Sequence, residues 1–153
     1  MRARIAATIA LSASIALAAS GCAFITPQAT TDDYDASDGV GATLGTVRVL
    51  NALVISEDGA SGNLVANFAN TGTERARVTV QYEGAGGTVD RTVTVAPGDY
   101  TSIGTEEPFE LEDIDAEPGS LFPVFVQHGD ETGKQLLVPV LDSSLREYEE
   151  LLP

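Results

Sequence analysis

The chain has 153 residues, with 23 acidic side chains against 8 basic ones and a formal net charge of −15. A surface of that sign repels nucleic-acid phosphates and anionic lipid headgroups, and no basic patch offsets it, so no nucleic-acid partner is expected. The length suits one domain of common size with a leader and a tether, and the single cysteine excludes an internal disulfide.

Met1 to Cys22 reads MRARIAATIALSASIALAASGC. Arg2 and Arg4 precede an uncharged run, Ile5 to Ala19, and small residues close it. A basic start, an apolar middle and small residues before a cut site predict a secretory signal peptide. The run falls short of the roughly 20 apolar residues that a spanning helix needs. Its end, Ala19-Ser20-Gly21-Cys22, resembles the lipobox of bacterial lipoproteins, although Ala19 stands where that family most often has Leu. The resemblance implies cleavage between Gly21 and Cys22, and a diacylglyceryl group, with acyl chains such as palmitate, on the Cys22 thiol. The alternative is an ordinary signal peptide with Cys22 incidental, which leaves an unpaired cysteine in an exported chain to be explained. Two or more acyl chains, at about 0.8 kcal/mol per buried methylene, give stable anchoring. Loss of Arg2 and Arg4 with the leader would take the formal charge from −15 to −17. The lipid would then hold the protein at the membrane without electrostatic help.

The expected layout is a lipoprotein signal peptide at 1–21, a lipidated cysteine and flexible acidic linker at 22–43, and a folded domain at 44–153. The linker has few large apolar residues and no period, so it cannot bury enough surface to fold. Fully extended, it would reach on the order of 60–75 Å. Asp33-Tyr34-Asp35-Ala36-Ser37-Asp38-Gly39 faintly suggests a calcium loop. Gly39 falls one position late, however, and Leu44 stands where the closing Glu belongs. A solvated acidic linker is the better reading.

From Leu44 on, short β-rich runs alternate with turn signals. Val47, Val49, Leu53 and Ile55 are expected mostly on one face of a first strand, and Glu57-Asp58-Gly59 turns the chain. Leu64, Ala66 and Phe68 share a face of the next strand, which Asn70-Thr71-Gly72 ends. Ala76, Val78, Val80 and Tyr82 alternate with polar residues, the period of a half-buried strand. Gly84 to Gly87 make a hairpin connection to a strand with Val89, Thr92 or Val93, and Val95. Pro97-Gly98-Asp99 is a turn, because Pro presets φ and Gly supplies positive φ. A short strand follows at Tyr100 to Gly104, then an acidic loop at Glu106 to Glu117. Leu121 to Val126 is apolar on both faces and reads as a central strand, with Pro123 implying an edge or bulge. Leu136 to Leu141 is the last strand, with Pro139 implying the same. Ser144 and Glu147 form a capping box for a short C-terminal helix whose Leu145, Tyr148, Leu151 and Leu152 share a face. About seven strands with turns every ~8–12 residues predict an all-β, antiparallel two-sheet sandwich.

The turn chemistry of Val65 to Gly72, Arg77 to Val80, Val95 to Gly98 and Pro118 to Val124 resembles bacterial immunoglobulin-like domains of surface proteins. The layout of lipobox, acidic spacer Tyr34 to Val40 and a sandwich opening Leu44 to Asn51 is similar to a group of small actinobacterial lipoproteins. A single Lys134 against seven Arg has the same high-GC flavour. That group is distantly similar to periplasmic copper(I) chaperones, which bind copper through Met and His. Here Met1 is the only methionine and His128 the only histidine, so no copper ligand is carried over.

Few residues offer chemistry. His128 at a strand end is a default exposed histidine, with no nucleophile identifiable beside it. The best metal candidates are carboxylates of the acidic loop (Glu106, Glu107, Glu110, Glu112, Asp113, Asp115, Glu117), above all Glu110, Glu112, Asp113 and Asp115. Oxygen donors on a loop suit Ca²⁺, but acidic runs are usually solvated faces. No cofactor is expected. The expected function is that of a non-enzymatic, membrane-anchored, extracytoplasmic module binding a protein or cell-envelope partner. A metal-handling accessory lipoprotein, for Ca or less plausibly Cu, is the alternative.

Overall fold

A computed structural model describes residues 1–20 and 37–153. It divides into two compact units, Met1–Tyr34 and Asp35–Pro153. Gly21, Cys22 and the first part of the expected linker lie outside the described residues.

In the first unit, α1 (Arg2–Ser20) is a helix of 19 residues. Its Ala-rich sequence has high helix propensity, and its hydroxyls fold back on the helix rather than forming a polar face. Thr8 Oγ1 donates to the Arg4 carbonyl at 2.6 Å, and Ser12 and Ser14 donate to the Thr8 and Ala10 carbonyls at 2.9 Å. Its side chains are exposed from Arg2 to Ala16. Among the described residues, no helix is long and apolar enough to cross a membrane.

The second unit is predominantly β. Its strands are β1 (Val40–Leu44), β2 (Val47–Ile55), β3 (Ser61–Asn70), β4 (Ala76–Gly84), β5 (Gly87–Val95), β6 (Tyr100–Ile103), β7 (Glu110–Glu112), β8 (Leu121–His128) and β9 (Lys134–Leu141). A one-turn helix, α2 (Arg146–Glu149), follows. The strand path is β5-β4-β8-β9-β2-β3-β6, with β1 also beside β2 and β7 also beside β3. This sheet curls so that its two halves face each other across one core, giving a sandwich-like form with open seams. Val47, Val49, Phe68, Val78, Val80, Leu111, Val126, Val138 and Val140 all meet in that core.

The structure corrects four expectations. Among the described residues there are nine strands, because β1 falls inside the segment expected as linker and β7 inside the acidic loop. The sheet is not wholly antiparallel, since β2 and β9 pair in parallel at Val54↔Val140 and Ile55↔Leu141. That pairing joins the two halves. The third correction concerns β2. Its register with β3 shifts between Leu50 and Leu53, and Asn51 has φ 51°. One extra residue reverses which face each later side chain takes. Val47, Val49, Ala52 and Val54 therefore share the main core, while Leu53 and Ile55 point to the opposite face. There they pack with Val65 and Tyr148 under Leu141, Leu151 and Leu152. Finally, the capping box does not form. Ser144 bonds to Asp142 instead, and the α2 N-cap is Leu145, which stays exposed.

The two strand prolines sit where one neighbour has ended. The last β4–β8 pair is Tyr82↔Val124, one residue short of Pro123. Pairing of β9 with β2 begins at Val140, one residue past Pro139. Each proline is thus at a locally one-sided position of an inner strand, where a missing N–H costs little.

Candidate functional site

An open groove of about 650 Å³ runs along β6 and the segment after it. Asp99, Tyr100, Ser102, Ile103, Gly104, Glu106, Glu107 and Phe109 line it. β6 pairs with β3 at Tyr100↔Ala69 through Ile103↔Ala66. The N–H of Tyr100 donates to its neighbour Asp99 Oδ1 at 2.8 Å, so this residue's main chain faces away from β3. Main-chain direction alternates along a strand. Ser102 therefore also turns its N–H and C=O outward, and Thr101 and Ile103 bond inward. Tyr100 as a residue is 69% exposed, an aromatic left at the rim.

One buried residue, Asn63, holds the groove's far wall. Its Nδ2 donates to the Gly104 carbonyl and to the Leu151 carbonyl, each at 2.8 Å. Its Oδ1 accepts from the Phe109 N–H at 2.8 Å. Asn63 is 1% exposed; its bond to Gly104 is fully buried and the other two are part-buried. Gly104 has φ 76°, and a Cβ there would lie 2.3 Å from the Leu64 carbonyl oxygen. Only glycine allows this turn against β3. Phe109 packs on the core, and the Arg91 guanidinium stands 4.7 Å above its ring, a cation–π contact across the seam between β5 and β7.

Glu110 and Glu112 are exposed on β7, on either side of buried Leu111. Asp113 and Asp115 have φ of 53° and 46° and flank buried Ile114. Backbone bonds stitch this segment down. Ile114 N–H donates to Ala60 O at 3.0 Å, Ala116 N–H to Gly59 O at 2.9 Å, and Ala85 N–H to Asp113 O at 3.0 Å. The Tyr82 hydroxyl, reaching out of the core, accepts from Glu112 N–H at 3.3 Å. The apolar side chains are drawn inward and the carboxylates left in solvent. Asp58, Asp113, Asp115 and Glu117 border a shallow cleft of about 270 Å³. The Asp58 carboxylate is already engaged by the Ala60 and Ser61 N–H groups, which hold its pKa below the ordinary carboxylate value. Among the described residues, no group of three or more His, Cys, Asp or Glu could hold a metal ion.

His128 is half-buried at the end of β8. Its Nδ1 lies 3.0 Å from the Arg77 carbonyl oxygen and donates to it. That bond fixes the ring to β4 and leaves Nε2 as the free nitrogen.

A third feature lies where the domain begins. The Tyr148 hydroxyl of α2 donates to the Asp38 carboxylate. That bond, then burial, pushes the Tyr148 pKa up to about 12. Gly39 N–H donates to Asn51 Oδ1 at 2.9 Å, and a Cβ on Gly39 would meet the Ala52 oxygen at 2.6 Å. The bulge in β2 thus seats the incoming chain, and the C-terminal segment closes over it.

Asn63 stands out only in the structure, as do the Gly104 turn and the bond from Tyr148 to Asp38. Asn63 follows a glycine in a strand-like run, and nothing local distinguishes it from a solvent-facing asparagine. Its partners are 41 to 88 residues away.

No protein-family model matches the chain, and no curated protein matches it in sequence. Solved structures that are distantly similar in fold include the following three. One is the copper-bound PCuAC domain from PmoF2, with TM-score 0.42 and 16% identity over 67% of this chain and 98% of that one. Another is the exo-chitosanase CsxA of Amycolatopsis orientalis, with TM-score 0.40 and 18% identity over 62% of this chain and 13% of that one. The third is the alkylpurine DNA glycosylase AlkC of Pseudomonas fluorescens, bound to DNA containing an abasic site analog. Its TM-score is 0.33, with 14% identity over 61% of this chain and 30% of that one. The chain thus spans nearly all of the first structure and less than a third of the other two.

Proposed function

We propose that this chain is a membrane-anchored bacterial lipoprotein whose immunoglobulin-like β domain is a non-enzymatic binding module at the extracytoplasmic face. Its partner would be a protein or another cell-envelope component. The observation that carries the reading is the N-terminal unit. Behind Arg2 and Arg4, α1 exposes Ile5, Ile9, Leu11 and Ile15, and the run ends in small residues directly before the only cysteine of the chain. An apolar helix without a polar stripe is stable in a bilayer or a translocation channel, not in water. The concavities of the second unit are shallow, and their carboxylates are solvated or engaged by backbone, which fits a surface that binds better than one that catalyses. No cofactor enters this reading.

Cell fractionation with metabolic palmitate labelling tests it. The expected result is a membrane-bound, labelled protein that becomes unlabelled and leaves the membrane fraction as Cys22→Ser. A Cys22→Ser protein that stays membrane-bound and labelled would overturn it.

A further inference from the structure

We propose that the outer edge of β6 is a strand-addition site for an extended peptide segment carrying Lys or Arg. This deepens the binding-module reading and rests on it. β6 pairs with β3 on one side only. Asp99 occupies the Tyr100 N–H, and among the described residues the Tyr100 carbonyl and the N–H and carbonyl of Ser102 have no hydrogen-bond partner. The Ser102 hydroxyl is turned to Asn67 Oδ1, at 2.6 Å, and does not cover the edge. β5, the strand across the seam, meets β6 through the Thr101 hydroxyl, which donates to the Thr94 carbonyl at 3.2 Å. It does not line the groove onto which the edge opens.

β6 is short, at 4 residues, but Tyr100–Ile103 carries no lysine, proline or bulge of the kind that guards natural edges. A strand laid here would bond to Ser102 and Tyr100 and rest beside the exposed Tyr100 ring, the side-chain type most often found anchoring interfaces. Charge decides the occupant. Asp99, Glu106 and Glu107 surround the groove, and the whole chain is strongly acidic. A second copy would bring like charges together, whereas a basic segment complements them. The Asn63 bonds and Gly104 hold the wall in place before any partner arrives.

The test titrates the full chain, in mild non-ionic detergent, with a short capped peptide of alternating valine and lysine. Saturable binding is expected that weakens with added salt and perturbs the amide resonances of Tyr100 to Thr105. Ser102→Pro removes the outward N–H without touching the β3 ladder, so it should weaken binding about fivefold or more, the effect of one lost hydrogen bond. Ser102→Ala should bind as the wild type does. A peptide N-methylated at alternate residues should lose binding with the protein unaltered. Equal binding by Ser102→Pro, by the N-methylated peptide or by a valine–glutamate peptide would overturn the proposal, as would no binding at all. Concentration-dependent dimerisation abolished by Ser102→Pro would overturn it in favour of a second copy. Failure here, with a partner still cross-linked elsewhere on the domain in intact cells, would leave the binding-module reading standing.

Discussion

Replacing Asn63 by Ala should remove a large share of the domain's stability. Three bonds go at once, and three backbone groups lose their partner: the Gly104 carbonyl, the Leu151 carbonyl and the Phe109 N–H. A buried group left unsatisfied costs about 1–3 kcal/mol, and a typical hydrogen bond contributes about 1 kcal/mol net. The Gly104 bond is fully buried and belongs at the upper end. The other two are part-buried, where water can enter, and belong near 1 kcal/mol each. The sum is about 4 kcal/mol, against a total of about 5–15 kcal/mol for a domain of this kind. Urea unfolding of the Asp35–Pro153 unit, followed by far-UV circular dichroism because the chain has no tryptophan, should show a lower midpoint at unchanged slope. Asn63→Asp sharpens the test. It keeps the acceptor for Phe109 but aims a carboxylate at two carbonyl oxygens, which raises its pKa. Its stability should therefore rise as pH falls through that raised value, because the folded state then holds the extra proton. A loss below about 1 kcal/mol for the alanine variant, or a pH-independent Asp variant, would refute this account of Asn63.

Further consequences can be measured on the same unit. Tyr148 has its pKa raised to about 12 from 10.0, so its contribution is intact below pH 10. It should be lost as pH rises from 10 to 12, where the unfolded chain ionises first. Tyr148→Phe should lower the neutral-pH midpoint and flatten that alkaline slope, and an unchanged slope would contradict the Asp38 contact. Ile55→Ala, on the face covered by the C-terminal segment, should cost about 2–5 kcal/mol, as for any fully buried aliphatic. A solvent-facing Ile55 would show almost none of this. Gly104→Ala forces a methyl against the Leu64 carbonyl at positive φ and should cost about 2 kcal/mol or more by thermal melt.

Much of this fold is legible in the sequence because its strands are half-buried and alternate. Ala76 to Tyr82 and Leu64 to Phe68 line the core as their period requires. The reading fails where a single residue changes parity. Asn51 at positive φ sends Leu53 and Ile55 to the other face, and a bulge leaves no periodic trace before the structure is known. β1 is hidden because Val40 to Leu44 is short and small-residued, and becomes a strand through the edge of β2. β7 is hidden by its charges. Only Leu111 is buried, and the pairing with Gly62 comes from distant β3. The acidic residues of the candidate metal cluster were visible, but their outward dispersal follows from backbone bonds to Gly59, Ala60 and Ala85, which no spacing rule encodes.

Intact-mass spectrometry of the protein isolated from its native membrane bears most directly on the whole account. The expected species begins at Cys22 and carries acyl chains on that residue. A chain that still starts at Met1, or a Cys22 with a free thiol, would contradict the anchored-module reading at its root.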